Sequence, residues 1–128
     1  MSLKLDHFTI LSRDPKASAA FYGLLLPHLG FVQKKPHIWA NEDGLHIQFG
    51  PARDDLPGYE RYGPGLNHFG FTAPSVAMVE ELADVMEAAG HVARLQRFPG
   101  GTTALFLPDP DGLRVEVSWY PPGTPPVD

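Results

Sequence analysis

Four side chains of this 128-residue sequence have the types and placing to bind a metal and move a proton: His7, Gln48, His68 and Glu116. Two imidazoles, a carboxylate and an amide oxygen form a ligand set for a divalent first-row metal, with room left for water or substrate. Of the two oxygen donors only the carboxylate can also act as a base, because an amide has no basic oxygen to offer. An internal repeat ties the four together. Laying His7 on His68 sets Leu5-Asp6-His7-Phe8-Thr9-Ile10 over Leu66-Asn67-His68-Phe69-Gly70-Phe71, and Asp14 over Ser75. A single histidine on a strand is more often a surface or hydrogen-bonded core residue, and a lone glutamate on a polar strand face is usually solvated. The repeat makes such positions meet instead of scattering.

Each histidine belongs to a strand that leads into a helix. Residues 3–12 alternate, with Leu3, Leu5, His7 and Thr9 on one face and Lys4, Asp6, Phe8 and Ile10 on the other. Asp14-Pro15 is a helix start, with the carboxylate as N-cap and proline in the first turn. Ala17, Ala20, Phe21, Leu24 and Leu25 keep the helical period; Pro27 should end or kink the helix, and Gly30 closes the segment. Strands are predicted near 31–35, 37–40 and 45–49, the last two joined by the turn Asn41-Glu42-Asp43-Gly44. The second copy repeats the order. It has a strand over about 66–72, Ser75 as N-cap, and a helix over about 76–89 burying Val79, Leu82, Ala83 and Met86. Gly90 is the stop, and strands follow near 92–98, 102–107 and 113–119.

The expected architecture is therefore α+β: two βαβββ modules, about 3–49 and 66–120, in one domain spanning 1–128. Residues 50–65, broken by Gly and Pro, read as the linker, which also has the length to cover a site. Residues 121–128 read as a frayed tail. In the last strand Leu113, Val115, Val117 and Trp119 form the helix-facing side, which turns Glu116 the other way. Aligning Ile47-Gln48-Phe49 with Val115-Glu116-Val117 gives Gln48 the same orientation in the first copy. Two half-sheets curved toward each other would then enclose a cleft receiving all four side chains.

The bulk composition sets limits. A hydrophobic content of 43% with 20% charged residues is that of an ordinary globular domain. A net charge of −5 argues against nucleic-acid binding. No apolar run approaches the roughly 20 residues of a membrane helix, and no signal-peptide pattern opens the chain, so a cytoplasmic location is expected. With no cysteine there is neither a disulfide framework nor a thiolate nucleophile.

These residues resemble the vicinal oxygen chelate superfamily, the glyoxalase, bleomycin-resistance and ring-cleaving dioxygenase relatives. The carriers are the two histidine strands, Ala20-Phe21-Tyr22 with Leu29-Gly30-Phe31, and Leu107-Pro108-Asp109-Pro110-Asp111-Gly112-Leu113-Arg114-Val115-Glu116-Val117. The resemblance covers about residues 3–120. It implies paired βαβββ modules forming an open, curved barrel, with metal ligands from the first and last strands of each module at His7, Gln48, His68 and Glu116. It also implies a small-molecule substrate and a homodimer, sometimes built by module swapping.

The resemblance is specific for the fold and much less so for the reaction. It implies a metal (zinc, nickel, manganese or iron) that chelates neighbouring oxygens of the substrate and stabilises an enolate or oxyanion, with Glu116 as the proton carrier. Gln48 stands where many glyoxalase I enzymes carry a second glutamate, and no glutathione-binding set is visible, so lactoylglutathione lyase is not favoured. His7, His68 and Glu116 could imitate the two-histidine, one-carboxylate triad of the dioxygenases. The short chain looks most like small bacterial members with no assigned substrate. The alternative is a protein without catalysis that sequesters a small molecule or antibiotic, as bleomycin-resistance relatives do. Tyr59, Arg61, Tyr62 and Arg97 are weighed as substrate contacts, with a solvated or dimer-contact role preferred; His37, Trp39 and His46 are left outside the site.

Overall fold

A computed structural model describes residues 1–125 of the chain. Two compact units follow one another, Met1–Tyr59 and Glu60–Asp128. The first contains β1 (His7–Ser12), α1 (Pro15–His28), β2 (Val32–Lys35), β3 (Ile38–Ala40) and β4 (His46–Pro51). The second contains β5 (His68–Thr72), α2 (Val76–Ala88), β6 (Arg94–Arg97), β7 (Thr103–Pro108) and β8 (Arg114–Trp119). Each is a βαβββ module with a four-stranded mixed sheet, ordered β1-β4-β3-β2 in the first and β5-β8-β7-β6 in the second. The fold is α+β and glyoxalase-like, as expected.

Asp14 caps α1 by accepting from the backbone N–H groups of Lys16 and Ala17, and Ser75 caps α2 by accepting from that of Met78. The caps satisfy donors that would otherwise be orphaned at each helix start. On α2 the side chains of Val79, Leu82, Ala83 and Met86 are buried, the stripe that the helical period predicts. Pro27 sits in the last turn of α1, and the helix ends one residue later, at His28. The terminal carbonyls are taken up from beyond the helix: Leu29 and Phe31 donate to Leu26, and Gly30 to Pro27. Gly30 and Gly90 then turn the chain with φ of 88° and 89°, values that side chains rarely adopt.

The first strand is shorter than its alternation predicts. It begins at His7, and Leu3 and Leu5 remain 93% and 67% exposed. The reason lies in its partner: β4 begins at His46, whose N–H donates to Asp6 O, so no neighbouring strand reaches residues 3–5. The turns before β4 and β8 are built alike. Asn41 Oδ1 accepts from the N–H groups of Asp43 and Leu45, and Asp109 Oδ1 accepts from those of Asp111 and Leu113. Arg13 donates to the carbonyls of Arg53 and Leu56, which ties the segment after β4 to the start of α1. In residues 121–125, part of the stretch read as a frayed tail, Thr124 bonds back to Pro121 through both N–H and hydroxyl; residues 126–128 lie outside the described residues.

Candidate metal centre

Side-chain alternation and strand register decide what each sheet presents. In the first unit β1 and β4 run parallel, with His7 beside His46, Phe8 beside Ile47 and Thr9 beside Gln48. Ile47 is fully buried and the Tyr22 ring of α1 packs on Phe49 at 4.8 Å between centroids, which marks the helix side. His7, Thr9, His46 and Gln48 therefore share the opposite face. In the second unit β5 and β8 are parallel, with His68 beside Arg114, Phe69 beside Val115 and Gly70 beside Glu116. Val115 and Val117 are buried on the side against which α2 packs, so His68, Arg114, Glu116 and Ser118 share the other face. The repeat holds at this level too. The residue two places after each histidine, Thr9 or Gly70, is the register partner of the second candidate ligand, Gln48 or Glu116.

His68 and Glu116 meet directly, with His68 Nε2 3.3 Å from Glu116 Oε1. Asn67 determines what kind of contact this is. Its amide nitrogen donates to the Arg61 carbonyl at 3.0 Å, so the atom it turns to His68 Nδ1, 2.7 Å away, is its oxygen. An amide oxygen only accepts, so Nδ1 carries a proton, and in the neutral ring Nε2 presents its lone pair to the carboxylate. Two acceptors facing each other at this distance repel unless a proton or a cation lies between them. A separation of 3.3 Å is also that of two adjacent ligands on one ion with bonds of about 2.1 Å. The other carboxylate oxygen, Oε2, accepts from the Ser118 hydroxyl at 2.7 Å. The pair fits a divalent cation, with the outer atom of each ligand already held, the arrangement that orients metal ligands from behind.

His7 is prepared in the same way. Its Nδ1 lies 2.6 Å from Asp6 Oδ2, and the hydrogen bond from His7 is the main reason the Asp6 carboxyl is held below its usual range. An ionised Asp6 can only accept, which places a proton on Nδ1 and, in the neutral ring, leaves Nε2 as the lone-pair nitrogen. Gln48 is half-buried on the adjacent strand. The four predicted residues thus stand as two pairs, one in each unit, and His68 with Glu116 is the pair in contact. Among the described residues no three His, Asp or Glu side chains gather around one point.

Alternation already sets His46 on the same strand face as Gln48, yet the sequence leaves it outside the site; the structure makes it the register partner of His7. That adjacency comes from the parallel pairing of β1 with β4, a contact between distant segments. Trp39 faces the other way, as the register partner of Ile47. Together with His37, Tyr22 and Phe49 it lines a cavity of about 390 Å3 on the helix side of the first sheet. Arg97 pairs with Glu80 of α2, which takes it off the His68 face. Arg61 lies over the Tyr62 ring, 4.9 Å from its centroid.

Two βαβββ modules, each with a histidine on its first strand and a polar oxygen donor on its last, define a class. Residues 4–117 match the Glyoxalase/Bleomycin resistance protein/Dioxygenase superfamily, and the chain belongs to that family. It is 30% identical over 125 residues to the uncharacterised protein YqjT of Bacillus subtilis (strain 168), covering 88% of this chain and 96% of that one. It is 26% identical over 122 residues to Glyoxylase I 4 of Arabidopsis thaliana, covering 88% of this chain and 68% of that one. Among solved structures it is similar to a Bacillus halodurans protein provisionally assigned as a glyoxalase. The TM-score there is 0.78 at 28% identity, with 90% of this chain and 94% of that one covered. No described helix is long and apolar enough to cross a membrane.

Proposed function

We propose that this protein is a divalent-metal-dependent enzyme acting on a small molecule with neighbouring oxygens, as a glyoxalase-type lyase or isomerase or in a dioxygenase-like manner. The ligands proposed are His7, Gln48, His68 and Glu116. The observation that carries the reading is the His68–Glu116 contact, in which Nε2 and a carboxylate oxygen stand 3.3 Å apart while Asn67 and Ser118 hold the far atoms. A divalent ion there (zinc, nickel, manganese or iron) supplies Lewis-acid polarisation of substrate oxygens and stabilises enolate or oxyanion charge as it develops.

The chain's own residues supply the rest. Asp6 and Asn67 keep both histidines in the tautomer with a basic Nε2. Glu116 moves the proton, since Gln48, its counterpart in the first unit, cannot act as a base. Ser118 holds one oxygen of Glu116 and so fixes the direction in which the other points. The name of the Arabidopsis relative supports the glyoxalase side of the reading. The same reading includes a homodimer.

Elemental analysis of the purified protein, beside His68→Ala, tests the reading. Stoichiometric metal that disappears in the variant supports it, and the identity of the metal sorts isomerase from dioxygenase chemistry. Protein that takes up none of the four ions would sink it in favour of a small-molecule or antibiotic-sequestering role.

A further inference from the structure

The face of the second sheet that carries His68 and Glu116 also carries two arginines without acceptors. Arg114 is the register partner of His68, and Arg94 is that of Phe106, which in turn is that of Glu116. A single row thus crosses the sheet as Gly70, Glu116, Phe106, Arg94, with Arg114 stacked on Phe106, its guanidinium carbon 4.5 Å from the ring centroid. Among the described residues neither arginine has a hydrogen-bonding or ion-pair partner, and Arg114 Nε is buried without one. The carboxylate in that row, Glu116, accepts from the Ser118 hydroxyl at one oxygen and faces His68 Nε2 with the other. Arg97 shows what an arginine of the same strand does when its role is structural: it turns to the helix side and pairs with Glu80.

A guanidinium pinned flat on an aromatic ring next to a reactive pair has lost its side-chain freedom without gaining an anion. We propose that Arg114, seconded by Arg94, anchors an oxyanion of the substrate, a carboxylate or a phosphate joined to a planar apolar group that lies against Phe106. Arginine suits this role because its planar fork binds carboxylate and phosphate oxygens in pairs. The strand spacing of about 4.8 Å sets the anion roughly 5–10 Å from the His68–Glu116 pair, the span of a small acid. The inference rests on the proposed function only for the position of the reacting group. Anion capture itself needs no metal.

The test is NMR titration of the metal-free protein with benzoate, phenyl phosphate and benzamide, in wild type, Arg114→Gln, Arg94→Gln and Arg97→Gln. The oxyanion probes should bind at least about tenfold more tightly than benzamide, and Arg114→Gln should remove about tenfold or more, as the loss of a charge-assisted hydrogen bond does. Arg94→Gln should have a smaller effect in the same direction, and Arg97→Gln none. The ratio of benzoate to phenyl phosphate affinity tells a carboxylate substrate from a phosphate one. Equal binding of benzoate and benzamide overturns the proposal, as does unchanged oxyanion affinity in both Arg114→Gln and Arg94→Gln, or no response to any probe at millimolar concentration. If Arg114→Gln does not fold, Arg94→Gln and the wild-type comparison still decide. Metal content of the same samples keeps the two readings apart: a protein that binds benzoate but takes up no metal overturns the metal centre alone.

Discussion

Asp6 and Asn67 stand one residue before the two histidines and perform the same act: each holds the following ring by Nδ1, at 2.6 and 2.7 Å. One does it with a carboxylate and the other with an amide, and both leave Nε2 as the basic nitrogen. Groups that hold a metal-binding histidine from behind typically account for 10–100-fold in metal affinity. Asn67→Ala and Asp6→Ala are therefore each expected to weaken metal binding by about tenfold or more, measured by competition against a chelator. Asn67→Asp keeps an acceptor for Nδ1 but sets a carboxylate oxygen against the Arg61 carbonyl, so it should retain more affinity than Asn67→Ala and less than the wild type.

The Asp6–His7 pair also makes a prediction about pH. The hydrogen bond from His7 lowers the Asp6 carboxyl in the folded protein. A depressed carboxyl contributes stability above its unfolded value, near 3.8, and loses that contribution as pH falls through the folded value. The carboxyl is fully solvent-exposed, so the contribution is small and screened by salt. Carbon-detected NMR titration should place the Asp6 midpoint below 3.8 in the wild type and move it upward in His7→Ala. A midpoint that does not move with the substitution would show that the hydrogen bond is not formed in solution.

Asp109 presents a stability prediction. It is 6% exposed, and its Oδ1 accepts from the N–H groups of Asp111 and Leu113 to close the turn that delivers β8 and Glu116. Removing the acceptor strands buried donors, at a cost of about 2–3 kcal/mol. Asp109→Ala should lower the urea midpoint accordingly, whereas Asp109→Asn should cost under about 1 kcal/mol. Asn41 already does the same work in the equivalent turn of the first unit.

What the sequence made legible was local. The buried stripe Val79, Leu82, Ala83 and Met86, the caps Asp14 and Ser75, and the glycine stops follow from period and propensity, and the structure has them all. The opposition of Glu116 to Val115 and Val117 was legible for the same reason, since alternation needs no partner strand. The parts missed depend on pairing. Leu3 and Leu5 alternate as strand residues do, yet they have no strand beside them because β4 starts at His46. Arg94 is set beside Phe106, and Arg114 over its ring, only through the antiparallel registers of β6, β7 and β8, which no window of sequence contains.

Gly70 offers a way to separate the candidate site from the fold. It lies on the His68 face of β5 beside Glu116, and a Cβ built there would stand 3.6 Å from Glu116 Cβ and 4.0 Å from its carboxyl carbon. Those are ordinary contacts, and Gly70 is not among the positive-φ glycines, so Gly70→Ala strains nothing. That substitution should leave metal uptake intact and raise stability slightly, by up to about 1 kcal/mol, through a less flexible unfolded chain. Gly70→Leu extends into the space beside the carboxylate and pushes Glu116 away from His68, while the apolar face of the sheet stays untouched. Metal affinity should then fall by about tenfold or more with the melting temperature within a few degrees of wild type. Gly70→Leu protein that keeps full metal affinity would show that Glu116 is not a ligand, whatever His68→Ala does.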